Sequence, residues 1–202
     1  MKLYQHYSVY GFSNSYILGN ETTMEALIID PAELTPTMIE KIELNGLMLT
    51  GVLITHAHQH HIKGLLTILK IYEPVVYASN SRILEHACRK VRDDETFEEA
   101  GFRIRALAVP GHSQDSIAYL VNDSMLFTGD ILHAGLAGRT NSLFNARSLV
   151  ERIRQKLFTL PDDVLVFPGH GPPSTLGTEK VANLSFDSRF SSHLQSEYDF
   201  FL

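Results

Sequence analysis

The chain has a single cysteine in 202 residues, Cys88. One thiol can form no disulfide within the chain and cannot assemble a zinc–cysteine site, so Cys88 reads as a buried or half-buried helix residue. An excess of positive charge is also missing: 17 Lys and Arg stand against 23 Asp and Glu, for a formal net charge of −6. Such a balance argues against nucleic acid held on a broad basic face. No apolar run approaches a membrane span, and the opening Met1-Lys2-Leu3-Tyr4-Gln5-His6 carries no signal core, so a cytoplasmic protein away from membranes is expected. Linkers, repeats and low-complexity tracts are absent too. Length and an apolar content of 44% fit one compact domain over 1–202, with 185–202 as a C-terminal extension.

What the chain does have is an alternation of short β-branched runs and longer amphipathic ones. Strands are expected at Ala26–Ile29, Val52–Ile54, Val75–Ala78, Phe102–Val109 and Val164–Phe167. Ile117–Val121 and Ser124–Phe127 read as a hairpin turning through Asn122-Asp123. Helical spacing marks Thr37–Leu44, Ile62–Tyr72, Ser81–Arg92 and Ser148–Phe158. Arg147, Arg152, Arg154 and Lys156 on the last of these read as a solvated face. The class is α/β or mixed α+β. An aromatic tail, Tyr198–Leu202, is the only hint of a homo-oligomer.

It also has ten histidines, and six of them follow one local pattern. The strand at Val52–Ile54 runs into Thr55-His56-Ala57-His58-Gln59-His60-His61. Later strands run into Pro110-Gly111-His112, Thr128-Gly129-Asp130 and Pro168-Gly169-His170. In these three, a strand ends, a glycine permits a sharp turn, and a side chain able to bind metal follows. Imidazole nitrogen and carboxylate oxygen suit zinc, iron or manganese. So many donors exceed one tetrahedral ion, which points to two adjacent metals. A histidine-rich surface tract would not explain the glycine-led His112, Asp130 and His170. Isolated histidines usually serve the core or surface, and His6, His86, His133 and His193 are read that way.

The ordered blocks His56-x-His58-x-His60-His61, Gly111-His112, Gly129-Asp130 and Gly169-His170 resemble the metallo-β-lactamase superfamily, whose first block is H-x-H-x-D-H. The stretches Leu126–Asp130, Ala137–Thr140, Leu160–Asp163, Phe167–Thr175 and Leu176–Lys180 followed by Asn183 are most similar to single-domain glyoxalase II-like (hydroxyacylglutathione hydrolase-like) proteins. The resemblance implies a four-layer αββα sandwich. It also implies two divalent ions, zinc foremost, with His56, His58 and His112 on the first, His61 and His170 on the second, and Asp130 bridging. A metal-bound hydroxide positioned by His60 and Asp130 would attack a small-molecule thioester, and Arg139 would face its thiol half. The helical substrate domain of full-length glyoxalase II has no counterpart in this length.

One residue breaks the pattern: His60 stands where the family has aspartate. Two divalent ions, a hydroxide and two carboxylates sum to about +1, and losing one carboxylate raises this to about +2, which is costly in a partly dry site. His60 is then a third ligand of the second metal, or that site is weak, or the ring turns away. A mononuclear-iron persulfide dioxygenase, using His56, His112 and Asp130, and a non-catalytic metal-binding scaffold are the alternatives the change keeps open.

Overall fold

The structure is a computed structural model and describes residues 1–187. The tail at Tyr198–Leu202 and His193 lie outside the described residues, as does most of the expected extension. In chain order the elements are β1 (Lys2–Tyr7), β2 (Asn14–Asn20), β3 (Glu25–Ile29), α1 (Pro36–Glu43), β4 (Met48–Leu53), α2 (Gln59–Ile62), α3 (Leu65–Ile71) and β5 (Val75–Ala78). Three two-residue strands follow, β6 (Arg82–Ile83), β7 (His86–Ala87) and β8 (Arg89–Lys90). Next come β9 (Thr96–Glu99), β10 (Phe102–Ala108), β11 (Ile117–Val121), β12 (Met125–Gly129), β13 (Leu132–His133) and β14 (Leu136–Ala137). The described part closes with α4 (Leu143–Lys156), β15 (Leu165–Pro168), β16 (Ser174–Thr175), α5 (Leu176–Ala182) and a 3-10 turn at Leu184–Phe186. None of the described helices is long and apolar enough to cross a membrane.

Two six-stranded sheets, ordered β1-β2-β3-β4-β5-β8 and β16-β15-β12-β11-β10-β9, pack face to face. The period-2 alternation of strand side chains divides the core into three layers. Tyr16, Leu18, Leu27, Ile29 and Leu53 of the first sheet meet Ile104, Tyr119, Phe127 and Phe167 of the second. The opposite face of the first sheet, through Ile17, Ile28 and Val52, receives Met38 and Ile42 of α1 and Leu65 and Ile68 of α3. Leu107, Leu120 and Val166 of the second sheet cover Leu149 and Ile153 of α4 and Leu176 of α5. The result is the expected αββα sandwich. Strands buried on both faces explain why β3, β11 and β12 read as unbroken apolar runs.

Asn122 and Asp123 both take positive φ, 48° and 53°, as the expected hairpin turn requires. Arg147, Arg152 and Arg154 are exposed, in keeping with a solvated face on α4. Two expected helices change. The helix expected over Ile62–Tyr72 is broken at Gly64, where an added Cβ would come within 2.6 Å of the Glu33 backbone; the close approach demands glycine. The helix expected over Ser81–Arg92 does not form. Leu84 and Glu85, with φ of 47° and 63°, make a two-residue turn that pairs Ile83 with His86, and β8 then adds to the edge of β5. Cys88 is half-buried there, against the layer beneath α1 and α3, rather than on a helix. Strands β1, β2, β9 and β16 were not expected from the sequence, and β1 and β2 supply the edge on which the loop at 8–13 rests.

Candidate metal centre

The ends of β4, β10, β12 and β15 open on the same edge of the sandwich, and each delivers its ligand there. The β4 end is fixed first. Asp30, 2% exposed and itself at φ 49°, accepts from Thr55 N at 2.7 Å and from Thr55 Oγ1 at 2.6 Å. Thr55 Oγ1 lies 3.1 Å from His56 Nδ1. With that hydroxyl donating to Asp30, His56 Nδ1–H donates to Oγ1, and the Nε2 lone pair faces the centre. Asp115 Oδ2 accepts from Ala57 N at 3.0 Å and from Asn80 Nδ2 at 3.1 Å, which holds the next turn of chain. His112 Nδ1 donates to the Arg139 carbonyl at 2.8 Å, again leaving Nε2 inward. The β15 loop is tied to the first sheet by Asn14 Nδ2, which donates to the carbonyls of Pro168 and Gly171 at 3.0 and 2.8 Å, and by Tyr16 OH, which donates to Pro168 O at 2.7 Å.

The donors converge in three groups: His56, His58 and His112; His56, His60, His61 and Asp130; and Asp130, His133 and His170. His58 Nδ1 lies 3.0 Å from both His56 Nε2 and His112 Nε2. One imidazole nitrogen holds a single proton or a single lone pair, so it cannot satisfy two such neighbours by hydrogen bonding. A shared cation can, because ligands at 2.0–2.2 Å around one ion sit about 3.0–3.5 Å apart. Asp130 Oδ2 is the hub of the remainder. It lies 3.3 Å from His61 Nε2, 3.6 Å from His60 Nε2, 3.7 Å from His112 Nε2 and 3.8 Å from His56 Nε2. His61 Nδ1 sits 3.1 Å from Asp30 Oδ2 but is not aligned as a hydrogen bond, so this buried ring lies between two carboxylates. The donor set therefore fits divalent metal.

Protonation follows from the same contacts. Burial drives His56 down to about 2 and also lowers His58 and His112, which keeps these rings in the neutral, ligating form. Burial opposes a charge on His61 as well, but the Asp130 and Asp30 carboxylates on either side outweigh it and raise the ring to about 9. Burial likewise works against the Asp130 carboxylate, yet His133, His170, His60 and His61 hold it well below the ordinary range.

All seven residues expected as ligands are brought to this edge. His60 turns inward, packed on the loop at 8–13, where a Cβ on Gly11 would come within 2.4 Å of its own Cβ. Arg139 lends its backbone to His112 while its side chain is exposed at the rim. His170 groups with Asp130 and His133, and its ring centroid lies 5.3 Å from that of His61. His133, read from sequence as an ordinary core or surface histidine, stands in the cluster. Asp30, Thr55 and Asp115 were missed as supports, although Asp30-Pro31 is visible in the sequence as a strand stop. His6 and His86 lie outside the three groups, His6 Nε2 being 3.6 Å from Glu33 Oε1.

Two facing sheets with helices outside and a histidine–aspartate cluster at their common edge define a class of metal-dependent αββα proteins. A sequence model described as the Metallo-beta-lactamase superfamily matches residues 9–170, and the chain belongs to that superfamily. It is similar to a hydroxyacylglutathione hydrolase of Chromohalobacter salexigens, with 35% identity over 164 residues, 79% of this chain and 63% of that protein. It is also similar to the mitochondrial persulfide dioxygenase ETHE1 of Homo sapiens, at 33% identity over 84% of this chain and 69% of that one. A metallo-beta-lactamase structure from Staphylococcus aureus superposes with a TM-score of 0.86 at 27% identity, covering 98% of this chain and 67% of the other. The chain thus spans less than two thirds of its hydroxyacylglutathione hydrolase relative. Its relatives include both a hydrolase and a dioxygenase.

Proposed function

We propose that the protein hydrolyses a small-molecule thioester to an acid and a thiol, in the manner of glyoxalase II-like enzymes, with two divalent ions held by His56, His58, His60, His61, His112, Asp130 and His170. The observation that carries this reading is the position of Asp130 Oδ2, which lies within 3.3–3.8 Å of four imidazole nitrogens from two donor groups. Bound divalent ions, zinc foremost, would act as Lewis acids on the acyl carbonyl oxygen and would bring the pKa of water near neutrality. The chain supplies the rest. Asp130, kept ionised by four histidines, orients the attacking water through its oxygens. His60, on the solvent side of Asp130, stands where the family places a second carboxylate. Arg139, exposed on the rim, offers a cation to the thiol half of the substrate. The Asp30 carboxylate, 3.1 Å from His61 Nδ1, favours the ring proton on that nitrogen and leaves Nε2 to the centre. A cytoplasmic site of action belongs to the same reading.

A second reading has one observation in its favour. His56 and His112 flank Asp130 at 3.8 and 3.7 Å, a two-histidine, one-carboxylate face suited to a single iron and oxygen chemistry on a persulfide. Protein purified without chelator separates the two. Two divalent ions per chain with oxygen-independent cleavage of an S-acyl glutathione are expected. One iron per chain with persulfide-dependent oxygen uptake favours the second reading, and bound metal with neither activity overturns both in favour of a scaffold.

A further inference from the structure

We propose that the divalent cation assigned to His170 and the Oδ1 oxygen of Asp130 takes His133 as a further direct ligand. This rests on the reading of the sheet edge as a metal centre, but not on the thioester chemistry assigned to it.

Asp130 divides its two oxygens between two sets of histidines. Oδ2 faces His56, His60, His61 and His112, whereas Oδ1 lies 2.7 Å from His170 Nδ1 and 3.5 Å from His133 Nε2. Neighbouring ligands at about 2.1 Å from one ion stand about 3.0–3.4 Å apart, so these separations bracket a common cation. The proton count points the same way. His170 faces two acceptors, the Gly11 carbonyl 3.0 Å from Nε2 and Asp130 Oδ1 2.7 Å from Nδ1, and the single N–H of a neutral ring can serve only one of them. His133 Nε2 is buried, and its 3.5 Å approach to Asp130 Oδ1 makes no well-aligned hydrogen bond. A cation between the three atoms removes both faults at once. Two imidazoles and a carboxylate suit zinc, iron or manganese.

The position of His133 is built rather than accidental. It occupies β13, three residues beyond Asp130, in a two-stranded ribbon that pairs Leu132 with Ala137 and His133 with Leu136. The turn of that ribbon is clamped. Gly135 N donates to Glu179 Oε2 at 3.1 Å, Gly135 O accepts from Leu184 N at 3.0 Å, and Gly138 N donates to Ile131 O at 3.0 Å. Glu179 is 1% exposed, a buried carboxylate committed to holding this ribbon. His133 and His60 thus add two imidazoles around a centre short of one carboxylate.

The test is zinc binding itself. Metal-free protein is titrated with Zn(II) against a chromophoric chelator, for wild type, His133→Phe and His133→Gln, with far-UV dichroism and thermal midpoint of the metal-free forms as fold controls. Both variants are expected to lose one zinc-binding step or to weaken it about 10–100-fold, with the other step unchanged. If His133→Gln binds zinc as wild type does, His133 only donates a hydrogen bond to Asp130 and the proposal fails. Wild-type binding by His133→Phe overturns it as well. Long-range 1H–15N spectra of the wild-type histidines decide without any variant. His133 Nε2 must shift as zinc is added, and an unmoved signal at saturation refutes ligation. Absence of thioester cleavage in zinc-loaded protein would sink the proposed function and leave this ligand standing.

Discussion

Replacing Asp30 by asparagine keeps the shape of the side chain but exchanges one acceptor oxygen for a donor nitrogen, in a place where all three neighbours need an acceptor. Thr55 N, Thr55 Oγ1 and His61 Nδ1 lie 2.7, 2.6 and 3.1 Å from the Asp30 oxygens. If the amide oxygen stays on Thr55 N–H, the NH2 group faces His61 Nδ1, which must then accept. The ring proton moves to Nε2, the nitrogen 3.3 Å from Asp130, and that lone pair is lost to the metal. If the amide flips, two buried N–H groups oppose each other at Thr55, at a cost of about 1–3 kcal/mol. Either way the ligand is presented wrongly. Removing such an outer support costs about 10–100-fold in metal affinity, or about 1.4–2.7 kcal/mol. Competition with a chromophoric chelator reads this directly, and thermal melts of metal-free protein read the Thr55 contacts as a fall of about 2–4 °C per kcal/mol. Zinc affinity within twofold of wild type would show that Asp30 does not set the His61 tautomer.

Gly169→Ala would place a Cβ 2.5 Å from His61 Cε1 and 2.6 Å from Asp130 Oδ1, so metal affinity should fall at least about tenfold for a stability cost of about 1–3 kcal/mol; unchanged affinity contradicts the contact. His60→Asp restores the carboxylate expected of the family and should raise second-ion affinity about tenfold, with thioester turnover rising alongside. Flat turnover would mean that the missing carboxylate is not what limits the site. In metal-free protein, His61 is raised to about 9 from an unfolded value near 6.5, so its protonation stabilises the fold fully below pH 6.5 and is lost as pH climbs to 9. Unfolding free energies from urea titrations should fall across that window by an amount on the order of 3 kcal/mol, and a His61→Gln variant should show no such slope. Equal slopes would place the neutral ring in the folded state.

The ligands were legible because each follows a strand and, in three cases, a glycine, so sequence alone fixes both the element and its end. His112, Asp130 and His170 are of this kind, and the sheet pairings needed only to bring the ends to one edge. The parts that escaped have no period to read. β13 and β14 are two residues each, too short for alternation, so His133 looked like any isolated histidine. Ile83, Ala87, Cys88 and Val91 fall at helical spacing by coincidence. What defeats the helix is the pair Leu84 and Glu85 at positive φ, a conformation that neither side chain advertises as a glycine would. Asp30 was visible only as a chain stop, since its role depends on β3 and β4 lying side by side with Asp30 beside Thr55.

The histidine at position 60 takes a different meaning once these neighbours are counted together. From sequence it removes a negative charge from the ligand shell and leaves the centre more positive. The fold sets the Asp30 carboxylate one layer behind, 3.1 Å from the far nitrogen of His61, and a charge at that range still acts strongly across a ring with 0% side-chain exposure. Asp130 is meanwhile flanked by His60 on one oxygen and His133 on the other, so the centre gains imidazole donors on both sides of its one inner carboxylate. Neutral imidazoles add coordination without adding charge, and Asp30 supplies charge without occupying a coordination position. The two functions that one aspartate serves in the family pattern are thereby split between different residues. On this argument His60→Asp and Asp30→Asn act in opposite directions on one electrostatic balance. Their double variant should bind the second ion with an affinity between those of the two single variants, and a double variant no tighter than Asp30→Asn would mean that the two carboxylates do not substitute for one another.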